Sequence, residues 1–319
     1  MMRICRGLIA TFLSLYQFTS PAAAQVKTES YPSRSITLVV AWPPGGLTDR
    51  LGRMMAQNLA KSLGTTVIVD NRAGASGVIG AEYVMRAPPD GYTLLVQAAD
   101  TFVKLIQDKG TDPATEFTQI SMLATVPLIL VAGPKFQRER LSELIEEAKR
   151  RPGEIAYGSL GQGGATHHGM EKFSGQAGIQ LLHVPYRGTT PVLTDVLGGQ
   201  VELTLLSPQS VEVYIRSKQM RALATTSPTR LSALPDIPTF GELGFPEIDL
   251  KLWYGIIGPK GMPSAVIQKL NAAVKEAAAE AGVQRELSNA FAQPLAGTPE
   301  EMDAFLRTEA AKWKAMTRQ

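Results

Sequence analysis

Ile36-Thr37-Leu38-Val39-Val40-Ala41-Trp42-Pro43-Pro44-Gly45-Gly46-Leu47-Thr48-Asp49 is the stretch whose reading decides the fold. A short apolar run rich in branched residues, Ile36–Ala41, meets two prolines and two glycines, and a helical pattern then runs over Thr48–Ser62. A strand that feeds a glycine turn and then a helix leaves unpaired backbone N–H groups at the positive end of the helix dipole, an arrangement suited to an anion. Gly45 and Gly46 let the backbone approach a ligand closely, Thr48 or Asp49 can cap the helix, and Trp42 can close one wall. An ordinary capped turn would use the same residues, so this stretch alone leaves structure and binding equally open.

The pattern recurs. Gly74-Ala75-Ser76-Gly77 follows the strand-like run Thr66–Asp70 and precedes a helical pattern over Ser76–Ala87; on its own it reads as a structural turn. Gly158-Ser159-Leu160-Gly161-Gln162-Gly163-Gly164 and Tyr186-Arg187-Gly188-Thr189-Thr190 are two further versions. Arg187 is the charged side chain best placed to meet a carboxylate bidentately, and a solvated loop arginine is its equal alternative. Four such turns together read as a device for holding a negatively charged ligand through backbone contacts.

Strand-like and helical segments alternate along the chain, the mark of an α/β architecture with parallel strands. Thr93–Ala98 and Phe117–Ala124 complete the strands of a first lobe. Val126–Pro134 and Leu252–Pro259 are apolar runs that each end in Gly-Pro-Lys and lead toward a helix. They read as two chain crossings between lobes. Between them lies a second α/β unit with strands near Ile155, Leu181, Val201 and Arg221, and the helical tail Pro263–Arg318 returns to the first lobe. Two crossings describe a hinge with a ligand cleft between the lobes, beyond the carboxyl ends of the strands where the glycine turns fall.

Arg3 and Arg6, the apolar Gly7–Phe18 and the small residues Ala22-Ala23-Ala24 predict a signal peptide over residues 1–24, and hence export to the periplasm. The apolar run is too short to anchor the chain in a bilayer. Cys5, the one cysteine of the 319 residues, lies in that segment, so the mature chain has no thiol chemistry and no disulfide. The chain has 32 basic and 29 acidic residues; without Arg3 and Arg6 the balance is 30 to 29, with no basic stripe of the kind nucleic acid requires. His167 and His168 are adjacent, and His183 stands beside Val184-Pro185, which is not a metal-ligand spacing. Tyr157-Gly158-Ser159-Leu160-Gly161 lacks the first glycine of a nucleophile elbow, and neither a Walker loop nor a dinucleotide fingerprint is present. No cofactor and no metal are expected.

In this order, Trp42-Pro43-Pro44-Gly45-Gly46, Asp70-Asn71-Arg72-Ala73-Gly74, Pro89-Asp90-Gly91-Tyr92-Thr93, His183-Val184-Pro185-Tyr186-Arg187-Gly188, Gly198-Gly199-Gln200-Val201 and Leu234-Pro235-Asp236-Ile237-Pro238-Thr239 form a series. The series resembles the extracytoplasmic solute receptors of tripartite tricarboxylate transporters, the Bug receptors, from about Tyr31 to the C-terminus. That resemblance implies a two-lobed periplasmic binding protein fold (type II-like) with two hinge-strand crossings. Lobe 1 would be residues 31–126 plus 259–319, lobe 2 residues 134–252, and the hinges 127–133 and 253–258. It implies a non-enzymatic, monomeric receptor that closes on a small mono- or dicarboxylate and delivers it to membrane transporter subunits.

Carried over by position, the ligand contacts would be Trp42, Pro44, Gly45, Gly46, Thr48 and Asp49, then Ala75, Ser76, Gly77 and Val78 in the first lobe. In the second they would be Ser159, Gly163, Gly164, Ala165, His167, Tyr186, Arg187, Gly188, Thr189 and Ser207. The chain departs from the family pattern in four places. Gly163-Gly164-Ala165-Thr166-His167 stands where Gly-Thr-x-x-His is frequent, Val78 where Asn is common, and Leu206, before Ser207, where an acidic residue is frequent. Thr101–Ile106 lacks the usual Asn-Pro element. Leu206 favours a ligand without a positive charge. Two alternatives stand beside the transport receptor: a serine hydrolase using Ser159 with His167 or His183, and a sensory receptor of the same fold.

Overall fold

The computed structural model describes residues 31–316; the signal peptide expected over residues 1–24 lies outside them. Two sheets organise these residues. The first runs in the order β11-β4-β10-β3-β1-β2, with β1 (Ile36–Val40), β2 (Val67–Asn71), β3 (Thr93–Ala98), β4 (Phe117–Pro127), β10 (Lys251–Pro259) and β11 (Gln293–Pro294). The second runs β7-β6-β8-β5-β9, with β5 (Ile129–Ala132), β6 (Ala156–Ser159), β7 (Leu182–Pro185), β8 (Leu203–Leu206) and β9 (Arg221–Thr225).

The glycine turns lie where the sequence puts them, at the carboxyl ends of strands that lead into helices. They precede α1 (Leu47–Leu63), α2 (Val78–Met85), α6 (Ala165–Ala177) and α7 (Thr189–Gly198). Two helices follow their strands with no glycine, α3 (Ala99–Lys109) and α8 (Pro208–Arg216), while α5 (Leu141–Arg150) follows β5 across Gly133-Pro134. The short α4 (Pro113–Glu116) opens β4, while α9 (Ser264–Ala279), α10 (Ala281–Asn289) and α11 (Pro299–Met316) form the tail.

The sheets are mixed rather than purely parallel. β1, β2 and β3 run parallel, as do β6, β7 and β8, but β10 is antiparallel to β3 and β4, and β5 is antiparallel to β8 and β9. Of the inverted strands, β5 and β10 are the ones that bring the chain in from the other sheet; the short β11 is antiparallel to β4 at the sheet edge. The carboxyl ends of both parallel sets face the interval between the sheets. A chain leaving one set through that edge therefore enters the other sheet against its direction.

Apolar continuity along the strands reflects cover on both faces. In β5, Leu130 and Ala132 face the large core shared with α6 and the first sheet, while Ile129 and Val131 face Val192, Val196 and Val211 of α7 and α8. Thr226, 1% exposed, joins the two crossings: its hydroxyl accepts the Leu128 N–H at 2.8 Å and donates to the Leu250 carbonyl.

Candidate functional site

Between the carboxyl ends of the two sheets lies a cleft of about 740 Å³. One wall is the turn Pro43–Leu47 with Thr48, Arg50, Ala98 and Asp100; the other is Leu160, Arg187–Pro191, Leu206, Ser207, Gln209 and Ser210. Leu252 and Tyr254 of the crossing strand β10 line it as well.

The turns reach the cleft because of their backbone geometry. Gly45 has φ +90° and Gly188 φ +115°, a region that side chains with a Cβ avoid. Each carries the chain from a strand end into a helix whose first N–H groups are not capped by a side chain. This holds for α1 behind Gly46, α7 behind Gly188 and α8 behind Ser207. The expectation that Thr48 or Asp49 caps α1 is not met. Thr48 borders the cleft, and Asp49, 3% exposed, turns away from it.

Asp49 instead staples the turn. Its carboxylate accepts from the Gly45 N–H at 2.9 Å, Arg53 Nε at 3.0 Å and Asn71 Nδ2 at 2.8 Å. Burial alone would push this carboxyl up, but the bonds from Arg53, Gly45 and Asn71 outweigh it and hold the group below the ordinary carboxylate range. Trp42 lines the cleft and donates from its indole N–H to Thr101 Oγ1 at 3.2 Å, so the wall it forms is tied to α3.

Of the expected contacts, Trp42, Pro44, Gly45, Gly46, Thr48, Arg187, Gly188, Thr189 and Ser207 border the cleft. Asp49, Ala75, Ser76, Gly77, Val78, Ser159, Gly163, Gly164, Ala165, His167 and Tyr186 do not. Ala75–Gly77 form a short 3-10 turn packed against α3: a Cβ on Gly77 would lie 2.1 Å from Thr101 Oγ1.

Ser159 is fully buried; its hydroxyl lies 2.7 Å from His183 Nε2 and 3.1 Å from the Gly161 carbonyl. His183 stacks on His167 with ring centres 3.9 Å apart, and His167 Nδ1 accepts the Gly163 N–H at 3.1 Å. This group braces the turn before α6 from behind. Burial holds all three histidines below the usual imidazole range, with repulsion from His183 adding to it at His167 and from His167 at His168. Tyr186 donates to Asp195 at 2.7 Å, which fixes the start of the Arg187 turn to α7; burial and then Asp195 push its phenol up to about 12.

Ala165 is withdrawn from the cleft for a different reason. Asp100, in the first turn of α3, reaches across and accepts the Ala165 N–H at 2.9 Å, occupying the N-terminus of α6. Two other contacts join the walls: Arg50 donates to Gln209 Oε1 at 2.6 Å, and Gln107 Nε2 lies 2.6 Å from His168 Nε2. Sequence reasoning missed Asp100 because β3 passes into α3 with no glycine or proline to mark a turn. It missed Gln209 and Ser210 because α8 opens on Pro208, which reads as an ordinary helix start.

A ligand cleft between two α/β sheets joined by two inverted crossing strands is the architecture of the periplasmic binding proteins. Residues 51–319 match the model of the tripartite tricarboxylate transporter family receptor, and the chain belongs to that family. It is 34% identical over 311 residues to protein BugT of Bordetella pertussis, covering 96% of this chain and 95% of BugT. Among solved structures, R. palustris Rpa4515 with adipate superposes with a TM-score of 0.80 at 31% identity, covering 90% of this chain and 97% of that one. MatC from Rhodopseudomonas palustris with bound malate gives a TM-score of 0.79 at 27% identity, covering 90% of this chain and all of the other (100%).

Proposed function

We propose that this chain is a periplasmic receptor, exported with residues 1–24 removed, that captures a small organic carboxylate between its lobes and passes it to a membrane transporter. The observation that carries the reading is the convergence of the uncapped N-termini of α1, α7 and α8 on one cleft, with Arg187 exposed at its edge. Backbone N–H groups at helix N-termini and one guanidinium suit a carboxylate and ask for no particular carbon skeleton. Relatives with adipate and malate bound support the class. The working contacts are Pro44–Leu47, Thr48, Arg187–Thr189 and Ser207, and the protein binds without turning its ligand over.

The 2.7 Å contact between Ser159 and His183 is the one observation that favours a hydrolase. Its burial behind the α6 turn, outside the cleft, argues against a nucleophile that must reach a substrate. A thermal-shift screen of organic acids on the chain lacking residues 1–24 separates the two readings. Mono- or dicarboxylates should stabilise it without being consumed, and neutral sugars should not. Consumption of an ester or acid that disappears in Ser159→Ala would overturn the receptor reading.

A further inference from the structure

Asp100 is the one acidic side chain that borders the cleft among the described residues. Its Oδ1 is fixed by the Ala165 N–H, and it packs so closely on the α6 turn that a Cβ on Gly164 would come within 3.1 Å of that oxygen. The cations of the cleft do not neutralise it. Arg50 is engaged by Gln209, and neither Arg50 nor Arg187 forms an ion pair with Asp100 among the described residues. Burial pushes its carboxyl up, against the opposing effect of the Ala165 N–H, and the same carboxylate adds to the upward shift that burial gives Tyr254 on β10. A carboxylate held among protein atoms with one N–H and no cation is costly, and a group that touches the ligand space is free to be compensated from there.

We propose that Asp100 is a specificity residue that selects, among small carboxylates, those carrying an ammonium group. The ligand's carboxylate lies at the N-termini of α1 and α7 beside Arg187, and its ammonium meets Asp100 on the α1 side of the cleft. This rests on the carboxylate-receptor reading above. It also replaces the expectation drawn from Leu206, an apolar cleft residue at the end of β8: the counter-charge for a cation comes from α3 instead.

Matched acids test it: propionate with alanine, succinate with aspartate, adipate with α-aminoadipate, phenylacetate with phenylglycine. Each is titrated calorimetrically into the chain lacking residues 1–24 and into Asp100→Asn, which keeps an amide oxygen for the Ala165 N–H. The wild type should bind an amino member about tenfold or more tighter than its unsubstituted partner, the scale of one charge-assisted hydrogen bond. Asp100→Asn should abolish that preference while leaving the unsubstituted acids as tight or tighter. A wild-type preference for the unsubstituted acids, or an equal change for both members in Asp100→Asn, overturns the role of Asp100 and leaves the receptor reading standing. No binding of any acid to the wild type overturns the carboxylate reading and this inference with it.

Discussion

Arg187 and the half-buried histidines show how differently neighbouring polar residues serve one cleft. Arg187 borders it from an exposed position, with no ion pair among the described residues. Arg187→Ala should therefore weaken carboxylate binding by about 1.5–3 kcal/mol in calorimetry, with the melting temperature unmoved; unchanged affinity would assign the anion to the helix N-termini alone. His167 and His183 do not border the cleft, yet they support the turn that carries α6. Their folded-state values lie below the ordinary 6.5, so the unfolded chain takes up protons first as pH falls. Their contribution is complete above about 6.5 and is lost as pH drops from there through the folded values. Melting temperature should decline over that window, and less steeply in His167→Gln; identical slopes would place the effect elsewhere. Ser159 belongs with them, and its role was not legible. A serine in a glycine turn looks the same from the sequence whether it faces a ligand or a neighbouring strand. Its direction is set by His183, 24 residues away.

At the scale of elements, the glycine turns made the strand-turn-helix units readable. Ile36–Ala41 and Thr48–Ser62 differ from β1 and α1 by one residue at each shifted end, and Thr93–Ala98 coincides with β3. What local pattern does not carry is strand direction. Apolar runs such as Leu252–Pro259 look alike whichever way they enter a sheet, so the inversion of β5 and β10 followed only from how the sheets face each other. The unpunctuated step from β3 to α3 hid Asp100 for the same reason: a position is exposed to the cleft by packing, and Ala98-Ala99-Asp100 contains no residue that demands a turn. Packing also fixes how α1 presents its N-terminus. A Cβ on Gly52 would lie 2.5 Å from Val40 Cγ2, so α1 rests directly on β1. Gly52→Ala should cost about 1–3 kcal/mol of stability by over-packing and displace the Gly45–Leu47 turn, lowering ligand affinity as well. Retained affinity at reduced stability would mean that the turn is held by the Asp49 staple and not by the helix.

For the molecule as a whole, the cleft is spanned by the Asp100–Ala165, Arg50–Gln209 and Gln107–His168 contacts, while Thr226 ties the two crossings. Lobes joined in this way are expected to open about the crossings and close on ligand. Small-angle scattering should give a smaller radius of gyration with a saturating ligand than without, and Gln107→Ala should enlarge the unliganded value. An unchanged radius at saturation would count against closure. The placement of β10 has a consequence of another kind. That strand sits between β3 and β4, so the first sheet cannot be zipped up until a segment more than a hundred residues further along the chain has emerged. The stretch from β5 to β9 has no such debt to its future: every strand of the second sheet lies within it. During vectorial emergence the second sheet can assemble while β3 and β4 still expose apolar edges open to mispairing. A chain stalled before Lys251 would then be half native and half adhesive, which makes the final segment of the polypeptide the safeguard of its first sheet.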